Sequence, residues 1–233
     1  MADSINSAGG DALVVPTDVT EDSDIDAPVD TTVDTFGGID ILVNNAGVML
    51  LESLADAARE NLRQMVEVNL LGLMNLTHAV LPVMREQGSG HIVNVSSTAG
   101  RRAGAKSSGY NATKFGVNGF TEAVRQEVTT EGIRTTVIEP GAVDTELQDH
   151  IPDEEIKRRI EEGMLQSMTP LESEDIARGI AYAVTQPQHV SVNELLIRPT
   201  DQQRWHPSHR RRRGGLLATR CITTTELPPQ TSF

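Results

Sequence analysis

Two residues that could move a proton, Tyr110 and Lys114, lie four positions apart in this 233-residue sequence. If Tyr110 opens a helix, both side chains share one helix face, so the ammonium group can sit beside the phenol. A free phenol has a pKa near ~10, and a neighbouring cation lowers it. Ser97 lies thirteen residues before the tyrosine and could hold a substrate oxygen with its hydroxyl. Together these groups can transfer a proton to or from an oxygen atom.

A tyrosine–lysine pair alone is weak evidence, because tyrosines near helix starts often only pack and keep the hydroxyl wet. Three further motifs stand at fixed distances: NNAG at 44–47, Asn69 within VNLLG, and PGAVDT at 140–145. With them the sequence resembles the short-chain dehydrogenase/reductase family from about Gly10 to about Gln203. The stretches DILVNNAGVML, NLLGLMNLT, TKFGVN and LLIRPTDQ are most similar to a bacterial branch that includes clavulanic acid dehydrogenase.

Hydrophobic periodicity predicts strands that alternate with helices. Short apolar or alternating stretches predict five strands: Ala12–Val15, Ile39–Asn44, His91–Val95, Arg134–Glu139 and Glu194–Ile197. Apolar residues at helical spacing predict five helices: Glu21–Phe36, Ala57–Glu86, Tyr110–Thr130, Pro152–Met168 and Glu172–Thr185. This alternation predicts an α/β fold, a Rossmann-like doubly wound parallel sheet with right-handed crossovers. Ligands of such sheets bind beyond the carboxyl ends of the strands.

The resemblance implies a catalytic set of four residues. Tyr110 would be the acid/base, and Ser97 rather than its neighbour Ser96 would bind the substrate oxygen. Lys114 would lower the tyrosine pKa and hold the cofactor ribose. Asn69 falls on the inward stripe of its predicted helix, although a solvent-facing asparagine is the alternative. The family places a water on its carbonyl, which would complete a proton relay.

The resemblance also implies a set of cofactor contacts. Asp18 follows a predicted strand and would face the adenine, with a turn-forming aspartate as the alternative. The nicotinamide carboxamide would bind the loop after the fourth predicted strand. The full predicted set is Asp18, Asn45, Ala46, Gly47, Tyr110, Lys114, Pro140, Gly141 and Thr145. The branch favours NADP, with NAD possible, and a small-molecule carbonyl or alcohol as the substrate. No histidine spacing resembles a metal site.

The family's glycine-rich TGxxxGxG turn does not occur among these residues. We therefore expect an N-terminally truncated sheet with the first two strands missing, which would leave Ile39–Asn44 with an open edge. The pyrophosphate-binding helix start would be missing as well. The first hypothesis is an NAD(P)-dependent oxidoreductase. The alternative is a non-catalytic relative that acts at most as a binding subunit of an intact paralogue.

Charge and length favour one acidic domain at residues 1–203 and a separate tail at 204–233. The net charge is −13, but six arginines lie in the tail, and residues 1–203 carry 14 basic against 32 acidic residues. Such a surface disfavours nucleic acid and anionic membranes. The tail contains a basic run, Arg210–Arg213, but reads as disordered or as a frameshifted segment. The single Cys221 and the absence of a predicted signal or membrane span predict a cytoplasmic protein. The family resemblance also implies that the chain, if intact, forms a homo-oligomer, either a dimer or a tetramer.

Overall fold

The structure, a computed structural model, describes residues 2–202 apart from the side chains of residues 164–167. The predicted tail at 204–233 lies outside the described residues. The α-helices are α1 (Ala2–Ser7), α2 (Asp22–Phe36), α3 (Arg59–Val66), α4 (Leu73–Gln87), α5 (Ser108–Val128), α6 (Glu154–Ser167) and α7 (Ser173–Val184). The strands are β1 (Ile41–Asn44), β2 (Gly90–Val95), β3 (Ile133–Pro140) and β4 (Glu194–Ile197).

The four strands form one sheet in the order β1-β2-β3-β4, and every neighbouring pair is parallel. The register places Ile41 opposite His91, His91 opposite Arg134, and Val137 opposite Glu194. Each crossover passes through at least one helix, as parallel strands require. The predicted α/β parallel sheet is therefore confirmed.

Helices cover both faces of the sheet. On one face Ile92 packs with side chains of α2, α4 and α5, including Val80 and Val124. On the other face Val93 and Ile138 pack against Ile176 of α7. Because neighbouring residues of a strand point to opposite faces, the adjacent residues Ile92 and Val93 of β2 each supply one of the two packing layers. The doubly wound arrangement follows directly from these two layers.

One predicted strand does not form. Residues 12–15 lie in irregular structure, with Leu13 48% exposed and Val14 70% exposed. A strand needs a neighbour for its ladder of hydrogen bonds, and no described strand lies beside these residues. Within residues 2–202, β1 pairs only with β2.

A second difference interrupts the long helix predicted over Ala57–Glu86. Residues Glu67–Gly72 form a π-turn between α3 and α4. Such single-turn insertions in α-helices frequently occur at functional sites. The predicted catalytic residue Asn69 lies inside this π-turn.

The combined helical stretch Arg59–Gln87 is, by length and composition, the one described segment that could cross a membrane, with a mean hydropathy of 1.3 over its most apolar window. However, it places Met65, Thr77, Val80 and Met84 in the interior of the domain. The core helix of a globular domain passes the same test, and we assign this stretch as such a helix.

Candidate active site

Three loops meet at the carboxyl edge of the sheet. They follow Asn44 at the end of β1, Val95 at the end of β2, and Pro140 at the end of β3. The hydroxyl of Ser97 donates to the carbonyl oxygen of Pro140 at 3.5 Å. This contact joins the loops after β2 and β3, so the predicted site residues of these two loops lie together.

Tyr110 and Lys114 lie on one face of α5, and both are buried. The Lys114 ammonium donates to the carbonyl oxygen of Val95 at 2.9 Å. Its nitrogen is 5.7 Å from the centre of the Tyr110 ring. The helix thus brings the lysine beside the tyrosine, as the four-residue spacing predicts, but the lysine hydrogen bond goes to the end of β2.

The expected lowering of the Tyr110 pKa does not occur in this structure. Burial raises the pKa of Tyr110 to about 12, and the hydrogen bond with Ser97 lowers it only in part. Burial also lowers the pKa of Lys114 to about 8. The physical reason is that desolvation penalises the charged form of each group. Tyr110 is therefore a protonated phenol at neutral pH, suited to donate a proton.

Ser97 is placed by the short 3₁₀ turn Thr98–Gly100. Its backbone is extended, and its hydroxyl accepts a hydrogen bond from the Ala99 amide at 3.1 Å. The hydroxyl of Ser96 instead donates to the Lys114 carbonyl oxygen at 3.2 Å. Ser96 thus fastens β2 to α5, and Ser97 is the serine that reaches Tyr110. This geometry agrees with the choice of Ser97 from its spacing.

Asn69 is buried, so the solvent-facing alternative for this residue is wrong. Its side-chain oxygen accepts from the Val48 amide at 2.7 Å, and its side-chain nitrogen donates to the Val48 carbonyl at 2.8 Å. The same nitrogen lies 3.3 Å from the Thr113 hydroxyl. The side chain therefore fixes the loop after β1 to the π-turn, and a relay role would fall to the backbone carbonyl.

The loop at Asn45, Ala46 and Gly47 is exposed, whereas Asn44 points inward. The Asn44 side chain donates to Thr77 at 3.1 Å and to Asn94 at 2.9 Å, which ties β1 to α4 and β2. A Cβ atom on Gly47 would lie 3.3 Å from the Asn69 side-chain oxygen and 3.9 Å from the Lys114 nitrogen. The open backbone of this loop therefore runs directly beside the buried lysine.

Asp18 forms a turn with its own neighbours. Its carboxylate accepts from the Thr20 amide at 2.9 Å and from the Thr20 hydroxyl at 2.7 Å. The amide bond, followed by the hydroxyl bond, holds the pKa of Asp18 below its usual value. The turn-forming role is thus present in the structure, and the adenine contact stays a prediction.

Residues Pro140, Gly141 and Thr145 follow β3. The Gly141 amide donates to the Ile197 carbonyl at 2.7 Å, which couples this loop to β4. Thr145 caps the 3₁₀ turn Glu146–His150, because its hydroxyl accepts from the Leu147 amide at 3.3 Å. Gln202, which sequence reasoning missed, accepts from the Ala142 amide at 3.1 Å and so braces the same loop.

Sequence reasoning also missed Asn111, the residue after Tyr110. Its side-chain nitrogen donates to the carbonyls of Ala99 and Arg102, at 2.8 and 3.1 Å. Its oxygen accepts from the Gly104 amide at 3.1 Å and the Ser107 hydroxyl at 2.7 Å. A buried asparagine inside a helix was the available signal, since asparagine is unfavourable there. These four bonds hold the loop that joins Ser97 to Tyr110.

Apolar side chains close over Tyr110, which is 4% exposed. Tyr110 belongs to a buried apolar cluster with Met49, Leu51 and Met65, to which Ile151 and Ile156 contribute from the segment that contains α6. A shallow surface pocket adjoins this cluster, between the loops at 50–57 and 106–109. Because α6 and the turn before it supply part of the cover, this segment forms a lid over the candidate acid.

Among the described residues, no three histidine, cysteine, aspartate or glutamate side chains gather in a group that could hold a metal ion. The groups that the structure brings together at the sheet edge are the hydroxyls of Ser97 and Tyr110 and the ammonium of Lys114. Such groups can bind an oxygen and move a proton, and a redox reaction would need a bound cofactor.

Comparison with known proteins gives a family match over most of the chain. Residues 1–156 match the family described as short chain dehydrogenase. An uncharacterized oxidoreductase of Staphylococcus saprophyticus is 44% identical over 188 residues, which cover 80% of this chain and 75% of that protein.

Solved structures show the same fold. The closed form of serine dehydrogenase complexed with NADP+ is 31% identical, covers 91% of this chain and 86% of its own, and has a TM-score of 0.78. Levodione reductase is also 31% identical, with a TM-score of 0.75 over 82% of this chain and 77% of its own. The likeness therefore extends through the sheet and the helices that carry the candidate site.

Proposed function

This chain belongs to the short-chain dehydrogenase family, and on that premise we propose that it is an NADP-dependent oxidoreductase acting on a small carbonyl or alcohol. NAD is the alternative nucleotide. The observation that carries the proposal is the joint placement of Ser97, Tyr110 and Lys114 at the carboxyl edge of a parallel sheet. The solved relative with bound NADP+ supports the choice of nucleotide.

In the reducing direction, each residue has a distinct task. Tyr110 donates its proton to the carbonyl oxygen, and its raised pKa keeps that proton available at neutral pH. Ser97 hydrogen-bonds the same oxygen. Its hydroxyl lies within hydrogen-bond distance of Tyr110, so an oxygen that accepts from the tyrosine also lies beside the serine. Lys114 stabilises the phenolate that forms, since its ammonium lies 5.7 Å from the ring centre. Asn69 fixes the loop after β1 and completes the relay through its backbone carbonyl.

The residues that would hold NADP surround this group. The exposed Asn45–Gly47 loop lies beside Lys114, which leaves its small side chains and backbone open to a ribose. Pro140, Gly141 and Thr145 would meet the nicotinamide carboxamide, and Asp18 would meet the adenine. When bound, NADPH supplies the hydride. The bacterial branch that includes clavulanic acid dehydrogenase remains our proposal for the subgroup, supported by the ending LLIRPTDQ.

We expect residues 1–233 by themselves to bind NADPH only weakly, with a dissociation constant above the micromolar range. They contain no TGxxxGxG turn, and backbone amides at a helix start are what hold a pyrophosphate. The matched control is an extended chain, meaning these 233 residues preceded by the glycine-rich strand–turn–helix–strand segment of a family member. Isothermal titration with NADPH should show micromolar binding to the extended chain.

Two outcomes of this titration would count against the account. Micromolar binding by the 233 residues would show that other groups carry the pyrophosphate. An extended chain that folds but does not bind NADPH would contradict the proposed function and favour the non-catalytic binding subunit.

We also propose that the chain forms a homo-oligomer through the helices behind the site. Val66, Leu71 and Phe115 are large apolar side chains that are 45–47% exposed. Leu70 packs against Gly116 of α5, so the π-turn and α5 lie side by side. Light scattering should give at least twice the chain mass of 25.2 kDa, and Phe115→Asp should lower it. A monomer in the parent protein would refute this assembly.

A further inference from the structure

A fully buried carboxylate lies just behind the candidate site. The side chain of Glu139 in β3 has no exposed surface. One of its oxygens accepts from the Arg101 guanidinium at 2.6 Å, and the other accepts from the Asn118 side-chain nitrogen at 2.8 Å. The described proton-transfer chemistry uses none of these three residues.

Each partner of this carboxylate belongs to a segment that carries a reacting group. Glu139 directly precedes Pro140 at the end of β3. Arg101 directly follows the 3₁₀ turn that Ser97 caps. Asn118 lies one turn beyond Lys114 on α5, so it shares a face with Tyr110. A single carboxylate therefore joins the strand, the serine turn and the tyrosine helix.

The backbone of the serine turn packs closely against α5. A Cβ atom on Gly100 would lie 2.8 Å from the Lys114 carbonyl oxygen and 3.0 Å from the Asn118 side-chain oxygen. Asn118 also donates to the Gly100 carbonyl at 3.3 Å. Ser97 and Arg101 lie at the two ends of this three-residue turn. Because the turn is packed against α5, we expect a shift of Arg101 to shift Ser97 as well.

Breaking a buried ion pair by changing one partner leaves a charge without compensation, which is strongly unfavourable. Arg101 also binds the carboxylate of Glu194 in β4. Glu194 is 61% exposed, however, and water can replace this second bond. Arg101 therefore binds two carboxylates, that of Glu139 buried at the site and that of Glu194 at the surface. Changing Glu194 is the matched control for changing Glu139.

We propose that Glu139 is a positioning residue, which sets the hydrogen bond between Ser97 and Tyr110 by holding Arg101 and Asn118 in place. The inference rests on the proposed function, because that function makes Ser97 and Tyr110 the groups that meet the substrate oxygen. It assigns a role to the charged residue that precedes Pro140 in β3.

The test uses the 233-residue chain with tyrosine labelled at the ¹³Cζ atom. The chain has only two tyrosines, Tyr110 and Tyr182, so two resonances appear, and Tyr182→Phe assigns them. Ser97→Ala should shift the Tyr110 resonance by removing its hydrogen bond. Glu139→Gln should shift it in the same direction, because the new amide turns a donor toward Arg101 or Asn118. The shift from Glu139→Gln should vanish in a chain that already carries Ser97→Ala.

The control is Glu194→Gln, which should leave the Tyr110 resonance in place. If Glu139→Gln does not fold by thermal melting, Arg101→Lys tests the same link from its partly exposed side. The proposal would be overturned by a Tyr110 resonance that moves in Ser97→Ala but not in Glu139→Gln or Arg101→Lys. It would also be overturned if the shifts from Glu139→Gln and Ser97→Ala simply add in the double variant. The readout needs no nucleotide and no turnover, so it stands apart from any failure of the proposed function.

Discussion

Tyr110→Phe should reduce the rate of carbonyl reduction by the extended chain by on the order of a thousandfold, within the range typical of a lost general acid. The substitution removes the only proton that the ring can donate and keeps the shape of a side chain that is 4% exposed. Because packing is preserved, the melting temperature and NADPH affinity should change little. The loss should therefore appear in kcat, measured as NADPH oxidation at 340 nm with a panel of small aldehydes and ketones.

The chain offers a matched control for this substitution. Tyr182, its only other tyrosine, is 56% exposed on α7. Tyr182→Phe should leave kcat within about twofold of the parent, as expected for a surface substitution away from the site. If Tyr110→Phe retained parental turnover, another group would have to supply the proton.

Lys114→Met should lower turnover by on the order of a hundredfold, because it removes the cation beside the forming phenolate. The pH dependence is the sharper readout. Burial lowers the pKa of Lys114 to about 8, so the ammonium is present below that pH and is lost as the pH rises through it. Turnover of the extended chain should therefore fall above about pH 8, and this limb should be absent from Lys114→Met.

Lys157→Met is the comparison for this effect. Lys157 also donates to a backbone carbonyl, that of Asp149 at 3.0 Å, but it lies in the lid. Its loss should leave the limb near pH 8 unchanged. If turnover of Lys114→Met still fell above about pH 8, the titrating group would be one other than Lys114.

Much of the fold could be predicted from apolar spacing alone. β2 and β3 form within one residue of their predicted bounds, and the bounds of β4 are exact, because their apolar residues, such as Ile92 and Val93 of β2, pack against the helices on the two faces of the sheet. Residues 12–15 have a similar pattern but lack a neighbour, and strand formation depends on pairing that periodicity does not report. The π-turn at Glu67–Gly72 was equally invisible, since one extra residue per turn barely disturbs a helical stripe.

The site residues were found by spacing and family resemblance, but their electrostatics were not. The Tyr110 pKa was expected to fall because Lys114 is near in sequence. It rises because Ile151 and Ile156, some forty residues later in the sequence, help to bury the ring. Desolvation depends on tertiary packing, so no local pattern could have given its magnitude.

The supporting polar network was missed for a related reason. Glu139 is held by Arg101 and Asn118, which lie 38 and 21 residues before it. Asn111 bonds to loop residues 4 to 12 positions before it, but no motif spacing marks these bonds. Glu139 did leave a trace, because it is a charge inside the otherwise uncharged run TTVIEPG. A buried charge must be paired, and its partner Arg101 became visible only in the structure.

The central claim is that hydride passes from the nicotinamide to a carbonyl carbon while Tyr110 supplies the proton. The most direct test is reduction of the aldehyde and ketone panel by the extended chain with NADPH that carries deuterium at C4, in the R form and the S form separately. Mass spectrometry of the alcohol then reports where the label goes. The account predicts deuterium on the carbinol carbon from one of the two forms only, and no labelled alcohol above background from Tyr110→Phe. Alcohol formed without deuterium from either form, by a chain that binds NADPH, would contradict it.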